Sequence, residues 1–372
     1  MTELPAQPTA RENGSEPRPE AVEIAVIGGG IGGAAAAVAL RGAGFDVHVF
    51  ERAGVLREIG GAVVIRQPSI DLFDRWGVGE AFRQDAVEIP GVEVRDATSG
   101  AVLGQHRLDV DGTGAAWSAH RADVHSALLA ALPPETIHLG VTTEAVRTDD
   151  DGAVAAFADG QSVRARLIVG ADGIRSVTRK LISDDETVFA HLVVIRSMVS
   201  AESLPAELSN DTVRMWGNQP LALVTLPLRG GRTVAIDTIV HADVPPEHLW
   251  TSEVPLAELA ERFADFDPVV PRLIAGSSEM VKANPVFDRE PLTTWSTGAV
   301  TLLGDAAHPM APRMGQGANS AIQDAGALAA ALTEHGLDDL ASALAAYEQE
   351  RIPTATAMQL GSRQAPSFSP AR

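Results

Sequence analysis

The period of the hydrophobic pattern changes several times along this chain. Residues 24–27 form an apolar, β-branched run that ends in Gly28-Gly29-Gly30, and an Ala-rich stretch, 34–40, follows at once. That pattern predicts a buried strand, a glycine turn and a helix. A second apolar run, Val47–Phe50, closes the unit before Glu51. Pro68 to Trp76 reads as a short helix with Pro at its start and Gly77 past its end. Residues 91–106 read as a hairpin turning at Thr98-Ser99-Gly100, and 122–132 as a helix stopped by Pro133-Pro134. Alternation from Thr136 to Val169 gives a short β-meander whose last strand runs into Gly170-Ala171-Asp172-Gly173.

The texture then shifts. Strand-like runs at 188–199, 212–216, 221–228 and 233–240 follow one another without helices, as in an antiparallel sheet. Two helical segments near 255–265 and 268–275 come next. A strand at 299–303 leads to Gly304-Asp305, and a glycine loop at 315–319 opens a helix through Leu332. The last helix spans about Leu337 to Leu360, with Pro353 as a kink. The expected fold is α/β: a Rossmann-like nucleotide-binding domain, an inserted antiparallel β-sheet domain and C-terminal helices. The expected boundaries are a disordered tail at 1–21, a discontinuous nucleotide-binding domain at 22–88, 107–186 and 280–372, and a β-sheet domain at 89–106 and 187–279, to which the resemblance described below gives the substrate-binding role.

Composition narrows the class. The 372 residues are 45% hydrophobic and 21% charged, as in an ordinary globular protein. A net charge of −20 argues against phosphate-backbone binding and against docking on anionic membranes. With no cysteine, disulfides, thiolate metal sites and a Cys nucleophile are excluded. Residues 1–21 lack the basic and apolar regions of a signal peptide, and no run of apolar residues is long enough to span a bilayer.

Gly28, Gly30 and Gly33 have the G-x-G-x-x-G spacing, which serves a tight turn, close approach to a pyrophosphate and helix-on-sheet packing. The helix N-terminus behind them directs unpaired N–H groups at phosphate. Glu51, 18 residues past Gly33, is placed to accept hydrogen bonds from both hydroxyls of an adenosine ribose. The motif implies an ADP moiety and does not separate NAD from FAD. Arg57, just before Gly60-Gly61, reads either as a phosphate or carboxylate partner or as a solvated loop residue. Arg121 lies at a strand-to-helix junction, and Asp172 or Ser176 also fits a plain helix cap.

Three motifs together resemble the single-component FAD-dependent aromatic hydroxylases of the para-hydroxybenzoate and salicylate hydroxylase type. They are the glycine fingerprint with Glu51, Gly170-Ala171-Asp172-Gly173-Ile174-Arg175-Ser176, and Gly304-Asp305-Ala306-Ala307-His308-Pro309. The resemblance spans residues 22 to about 360. It implies non-covalent FAD, with NADH or NADPH as transient reductant, and hydroxylation of an aromatic or electron-rich heterocyclic or polyketide molecule by O₂ through a flavin C4a-hydroperoxide. Epoxidation, Baeyer–Villiger oxidation and oxidative decarboxylation share that chemistry, and a redox-silent FAD-binding partner protein shares the fold.

The same resemblance implies residue roles. Asp305 accepts from a ribityl hydroxyl, and Asp172 and Gly173 form a turn used by pyrophosphate and visiting nicotinamide nucleotide. Arg121 contacts phosphate or ribityl, Arg57 the pyrophosphate or reductant, and Arg52 joins the cofactor set beside Glu51. Thr143 offers a backbone contact to adenine. Gly315, Gly317, Ala318 and Asn319 start the helix whose dipole holds charge at the flavin N1/O2 edge, and Pro309 and Pro312 shield the ring. Arg196, Met215, Leu223 and Thr225 are expected to face substrate. No metal is expected, and His308 is expected to pack within its motif. The one tyrosine, Tyr347, is the residue type that helps deprotonate phenols in relatives; if it is remote, another group must do so. A cytoplasmic monomer or homodimer, with no nucleic-acid or membrane partner, completes the expectation.

Overall fold

The computed structural model of the protein describes residues 20–56, 61–107, 114–204, 208, 212–218, 220–243, 253–277 and 281–364. Most of the expected N-terminal tail and Arg57 lie outside these residues. Ala21, assigned to the tail, opens the first strand instead.

In chain order the elements that frame the site begin with β1 (Ala21–Ile27), α1 (Ile31–Gly42), β2 (Val47–Glu51) and β3 (Ala62–Arg66). Next come β4 (Ala116–His120), α2 (Arg121–Ala130) and β5 (Ser162–Gly170). The second half contributes β6 (Val188–Ser200), β7 (Val213–Asn218), β8 (Leu221–Leu228), β9 (Thr233–His241) and β10 (Val281–Asp288). It closes with β11 (Val300–Leu302), α3 (Gly317–His335) and α4 (Leu340–Gln364).

The first sheet runs Ser296–Thr297, β11, β5, β1, β2, Ile137–Leu139. From β11 to Ile137–Leu139 its neighbours are parallel. Both faces are covered, which is why its strands read as unbroken apolar runs. Ile24 and Val26 pack towards α1 and α3, whereas Ala25 and Ile27 pack towards the meander of Thr143–Asp149 and Gly152–Phe157. Alanines 34–37 in α1 are nearly inaccessible, so this helix lies close on the sheet. Gly33 is obligatory there: a Cβ would stand 1.9 Å from the Gly28 carbonyl oxygen.

The second sheet runs Glu253–Val254, β10, β6, β9, β8, β7, Gly91–Asp96, Val102–Arg107. It is antiparallel except where β7 meets Gly91–Asp96. Residues 281–288, expected with the nucleotide-binding part, belong to this sheet as β10. One face buries Trp216, Leu223 and Ile236 against the helices Leu256–Arg262 and Val269–Ala275. Each such aliphatic side chain contributes about 1.5–3 kcal/mol relative to exposure. The other face meets the first half of the protein through the three-stranded sheet β3, β4 and Val87–Ile89. No described helix is long and apolar enough to cross a membrane.

Candidate active site

Three turns share one edge of the first sheet. Ile27 of β1 is in register with Gly170 of β5, which is in register with Leu302 of β11. The chain therefore leaves adjacent parallel strands at Gly28–Gly30, Ala171–Gly173 and Gly304–Asp305, at the carboxyl ends where open α/β sheets form crevices. The turns touch: a Cβ on Gly28, whose φ is +103°, would stand 2.4 Å from the Ala171 carbonyl oxygen. α1 starts at Gly30 with no side chain capping its first N–H groups. A helix start left bare in this way is a ready anion site.

The backbone of Gly29 is clamped on both sides. Its N–H donates to Glu51 Oε2 at 2.7 Å, and its carbonyl accepts from His125 Nε2 at 2.6 Å. Since a carbonyl only accepts, the proton of His125 sits on Nε2. Glu51 Oε1 takes the Ala53 N–H at 2.8 Å, leaving lone pairs on both oxygens. The segment before Thr143 runs beside it, with Val141 N–H donating to the Glu51 carbonyl. Thr143 Oγ1 is buried and makes no hydrogen bond. Arg52 is exposed.

Asp305 is exposed at the crevice, and its Oδ1 lies 4.0 Å from where a Gly317 Cβ would be. This puts a free carboxylate beside the start of α3, which Gln316 leaves without a side-chain cap after Gly315 turns the chain at φ +62°. Asp172 lies in the second of the three turns. Its carboxylate accepts from the Val177 and Thr178 N–H groups and from both hydroxyls of Ser176 and Thr178, so it caps its own turn. Gly173, at φ +75°, has open space where a Cβ would be. Asn319 lies in the first turn of α3, and its side chain is engaged by protein. Oδ1 accepts from Arg66 N–H and the Ser69 hydroxyl, and Nδ2 donates to the Val64 and Gly315 carbonyls. It ties α3 to β3 and has no side-chain capacity left for a cofactor.

The Asp305 loop is held by groups that its sequence does not announce. Asp324, fully buried on α3, accepts from Gly304 N–H at 3.0 Å, His308 Nε2 at 2.6 Å and Arg351 Nε at 2.9 Å. Burial alone would raise its carboxyl, but His308, Arg351 and the Gly304 N–H hold it below the usual range. Arg179, also buried, donates to the carbonyls of Ala306 and Ala307 and pairs with Asp185. Gln359 Nε2 donates to the Pro309 carbonyl at 2.9 Å. His308 is thus a packed member of the loop. Tyr347 is buried and donates to the Leu302 carbonyl, away from the second sheet. Among the described residues no cluster could hold a metal.

Between this crevice and the second sheet lies a two-ended apolar contact. Leu192, Val194, Ala222 and Ile239 meet Ala311 at one end, and Val213, Leu226 and Ala235 meet Ile89 and Ala116 at the other. The sheet row between the ends is Met215, Val224, Asp237 and Arg196. Met215 and Arg196 therefore face the nucleotide half. Leu223 and Thr225 do not: alternation turns them to the far face, where Leu223 packs with Trp216 and Phe263. Asp237 went unanticipated, although a charge inside the apolar run 233–240 was a visible signal. Arg121 lies at the same border, its N–H donating to the Gly61 carbonyl at 3.1 Å.

A family model described as an FAD binding domain matches residues 21–361. The chain belongs to that family. It is an FAD-dependent monooxygenase. The 3-amino-4-hydroxybenzoate 2-monooxygenase of Streptomyces platensis is 35% identical over 345 residues, 92% of this chain and 87% of that one. The 6-hydroxynicotinate 3-monooxygenase of Bordetella bronchiseptica is 33% identical over 350 residues, covering 90% and 89%. Among solved structures, Klebsiella pneumoniae HpxO complexed with FAD and uric acid aligns with a TM-score of 0.82 at 26% identity, over 92% of this chain and 87% of that one. The flavoprotein's own residues fit such a dinucleotide: two bare helix starts, a carboxylate with spare acceptors at Glu51 and an unengaged carboxylate at Asp305.

Proposed function

We propose that this enzyme hydroxylates a small, electron-rich aromatic or heteroaromatic ring, with NADH or NADPH as reductant and O₂ as oxidant. The balanced change is ring C–H, O₂, NAD(P)H and one proton to ring C–OH, NAD(P)⁺ and water. Bound FAD supplies the electron and oxygen chemistry. In this reading the α1 start binds pyrophosphate, Glu51 the ribose and Asp305 the ribityl chain. Gly317 and Ala318 N–H groups at the α3 start hold negative charge as it develops. Arg52, Arg57, Arg121, Thr143 and the Asp172–Gly173 turn complete the cofactor side. Met215 and Arg196 line the substrate side, and the packed sheet with Pro309 and Pro312 excludes water.

The register of β1, β5 and β11 carries the reading, because it brings the turns of all three motifs to one edge of the first sheet. The substrates named for the relatives, hydroxylated or aminated benzoate and hydroxylated nicotinate, support a small aromatic acid or N-heterocycle here. The need for NAD(P)H and the lack of any cysteine suit the cytoplasm. The test is to purify the protein, measure its FAD, and follow NADH and NADPH oxidation with and without aromatic acids. Ligand-stimulated oxidation is expected; a yellow protein indifferent to every ring tried would contradict the proposal.

A further inference from the structure

One carboxylate at the border between the halves is paired only loosely, with Arg196 on the neighbouring strand. Asp237 sits in the middle of β9, on the face turned to the nucleotide half, with Met215 and Val224 in the same row. Its Oδ1 is shut off from solvent and accepts no hydrogen bond. Its partner across the strand pair is Arg196, yet Nε stands 3.7 Å from Oδ2, beyond hydrogen-bonding reach. The two side chains keep 34% and 18% of their surface, Arg196 and Asp237 respectively, so the pair is reachable rather than sealed. Gly61 faces it directly: a Cβ there would stand 2.5 Å from Arg196 Cδ and 3.0 Å from Asp237 Oδ1. A buried acceptor without a donor costs about 1–3 kcal/mol. Such a group in a native structure calls for an explanation, and beside a substrate face a ligand donor is one that fits.

We infer that Asp237 receives the hydroxyl or amino donor of the aromatic substrate and takes its proton, with Arg196 steadying the carboxylate. This rests on the monooxygenase reading above. The proton leaves the ring O–H or N–H, the new O–H bond forms on the Asp237 carboxylate, and the electron pair stays on the ring heteroatom and enriches the ring. Tyr347 cannot take this part, since its hydroxyl is committed to Leu302 inside the other half. Burial raises the Asp237 carboxyl while Arg196 opposes the rise, the direction a proton acceptor needs. The enzyme should therefore select rings carrying a donor.

The test uses FAD-loaded, full-length protein and two matched probe pairs: 3-amino-4-hydroxybenzoate against benzoate, and 6-hydroxynicotinate against nicotinate. Binding is read from the flavin difference spectrum, turnover from NAD(P)H oxidation, and folding from flavin content and melting temperature. The wild type should favour a donor-bearing ring by about tenfold or more. Asp237→Asn and Asp237→Ala should erase that preference and lower kcat/KM about 10²-fold, with flavin content kept and melting temperature unchanged or raised. A merely structural carboxylate would instead lower the melting temperature. Preference and rate retained in either flavin-loaded variant, or no preference in the wild type, would overturn the inference. A wild type that discriminates by spectrum but oxidises no NAD(P)H would overturn the monooxygenase reading and still support Asp237 as the receptor of the ring donor.

Discussion

His125 Nε2 lies 2.6 Å from the carbonyl oxygen of Gly29, so a buried imidazole on α2 fixes the middle peptide of the glycine turn. Glu51 grips the N–H of the same residue. The turn is thus oriented before any nucleotide arrives.

His125→Ala leaves that carbonyl unpaired, at a cost of about 1–3 kcal/mol. FAD affinity should fall about tenfold or more, read by flavin fluorescence on titrating the apoprotein. His125→Gln, which can donate to the same oxygen, should recover part of the loss. Equal affinity in the alanine variant would show that the clamp is idle.

Asp305 is exposed and takes no part in the hydrogen bonds that hold its loop, so removing it should leave the fold intact. Asp305→Ala is expected to keep its melting temperature as apoprotein and to lose about 10- to 100-fold in FAD affinity, since hydrogen bonds to charged groups contribute about 1.5–3 kcal/mol. Full flavin occupancy of the purified variant at low FAD would count against its role.

The Asp324 network behaves oppositely. Asp324→Ala strands His308 and Arg351 in the interior, and breaking such a buried pair costs about 3–5 kcal/mol. Urea unfolding should show that loss, with flavin lost as a consequence. A stability change within error would mean that the loop is held by Arg179 and Gln359 alone.

Buried Asp324 and half-buried Asp237 predict opposite pH trends. Asp324 is held below its ordinary value, so its contribution is full above the unfolded carboxyl value of about 4 and fades as pH falls through the folded one. Asp237 is raised, so its charged form weighs on stability increasingly as pH rises through its folded value. Asp237→Asn should accordingly raise the melting temperature at neutral pH, and the gain should shrink in acid. A gain that grows in acid would reverse the assigned direction.

Much of the cofactor side was legible because local collisions dictate it. Gly33 is required by the Gly28 carbonyl, and Gly28 by the Ala171 carbonyl and its own positive φ. What holds those turns was not legible. Asp324 meets His308 across 16 residues and Arg351 across 27, on helical positions that look merely polar in sequence. Asn319 sits in a glycine-rich motif but spends its amide on β3. On the second sheet the strands were visible and the faces were not. Both faces of β8 are apolar, one towards helices and one towards the nucleotide half, so period two could not say which way Leu223 points. The charges of Arg196 within β6 and Asp237 within β9 were the signs of the inward face.

The most direct test of the central claim is to run the FAD-loaded enzyme under isotopically labelled O₂ with NAD(P)H and the aromatic acid that best stimulates oxidation. The account predicts a ring hydroxyl carrying a single labelled oxygen atom, formed in step with NAD(P)H consumed. An unlabelled product, or NAD(P)H consumption that leaves every ring unchanged, would contradict it.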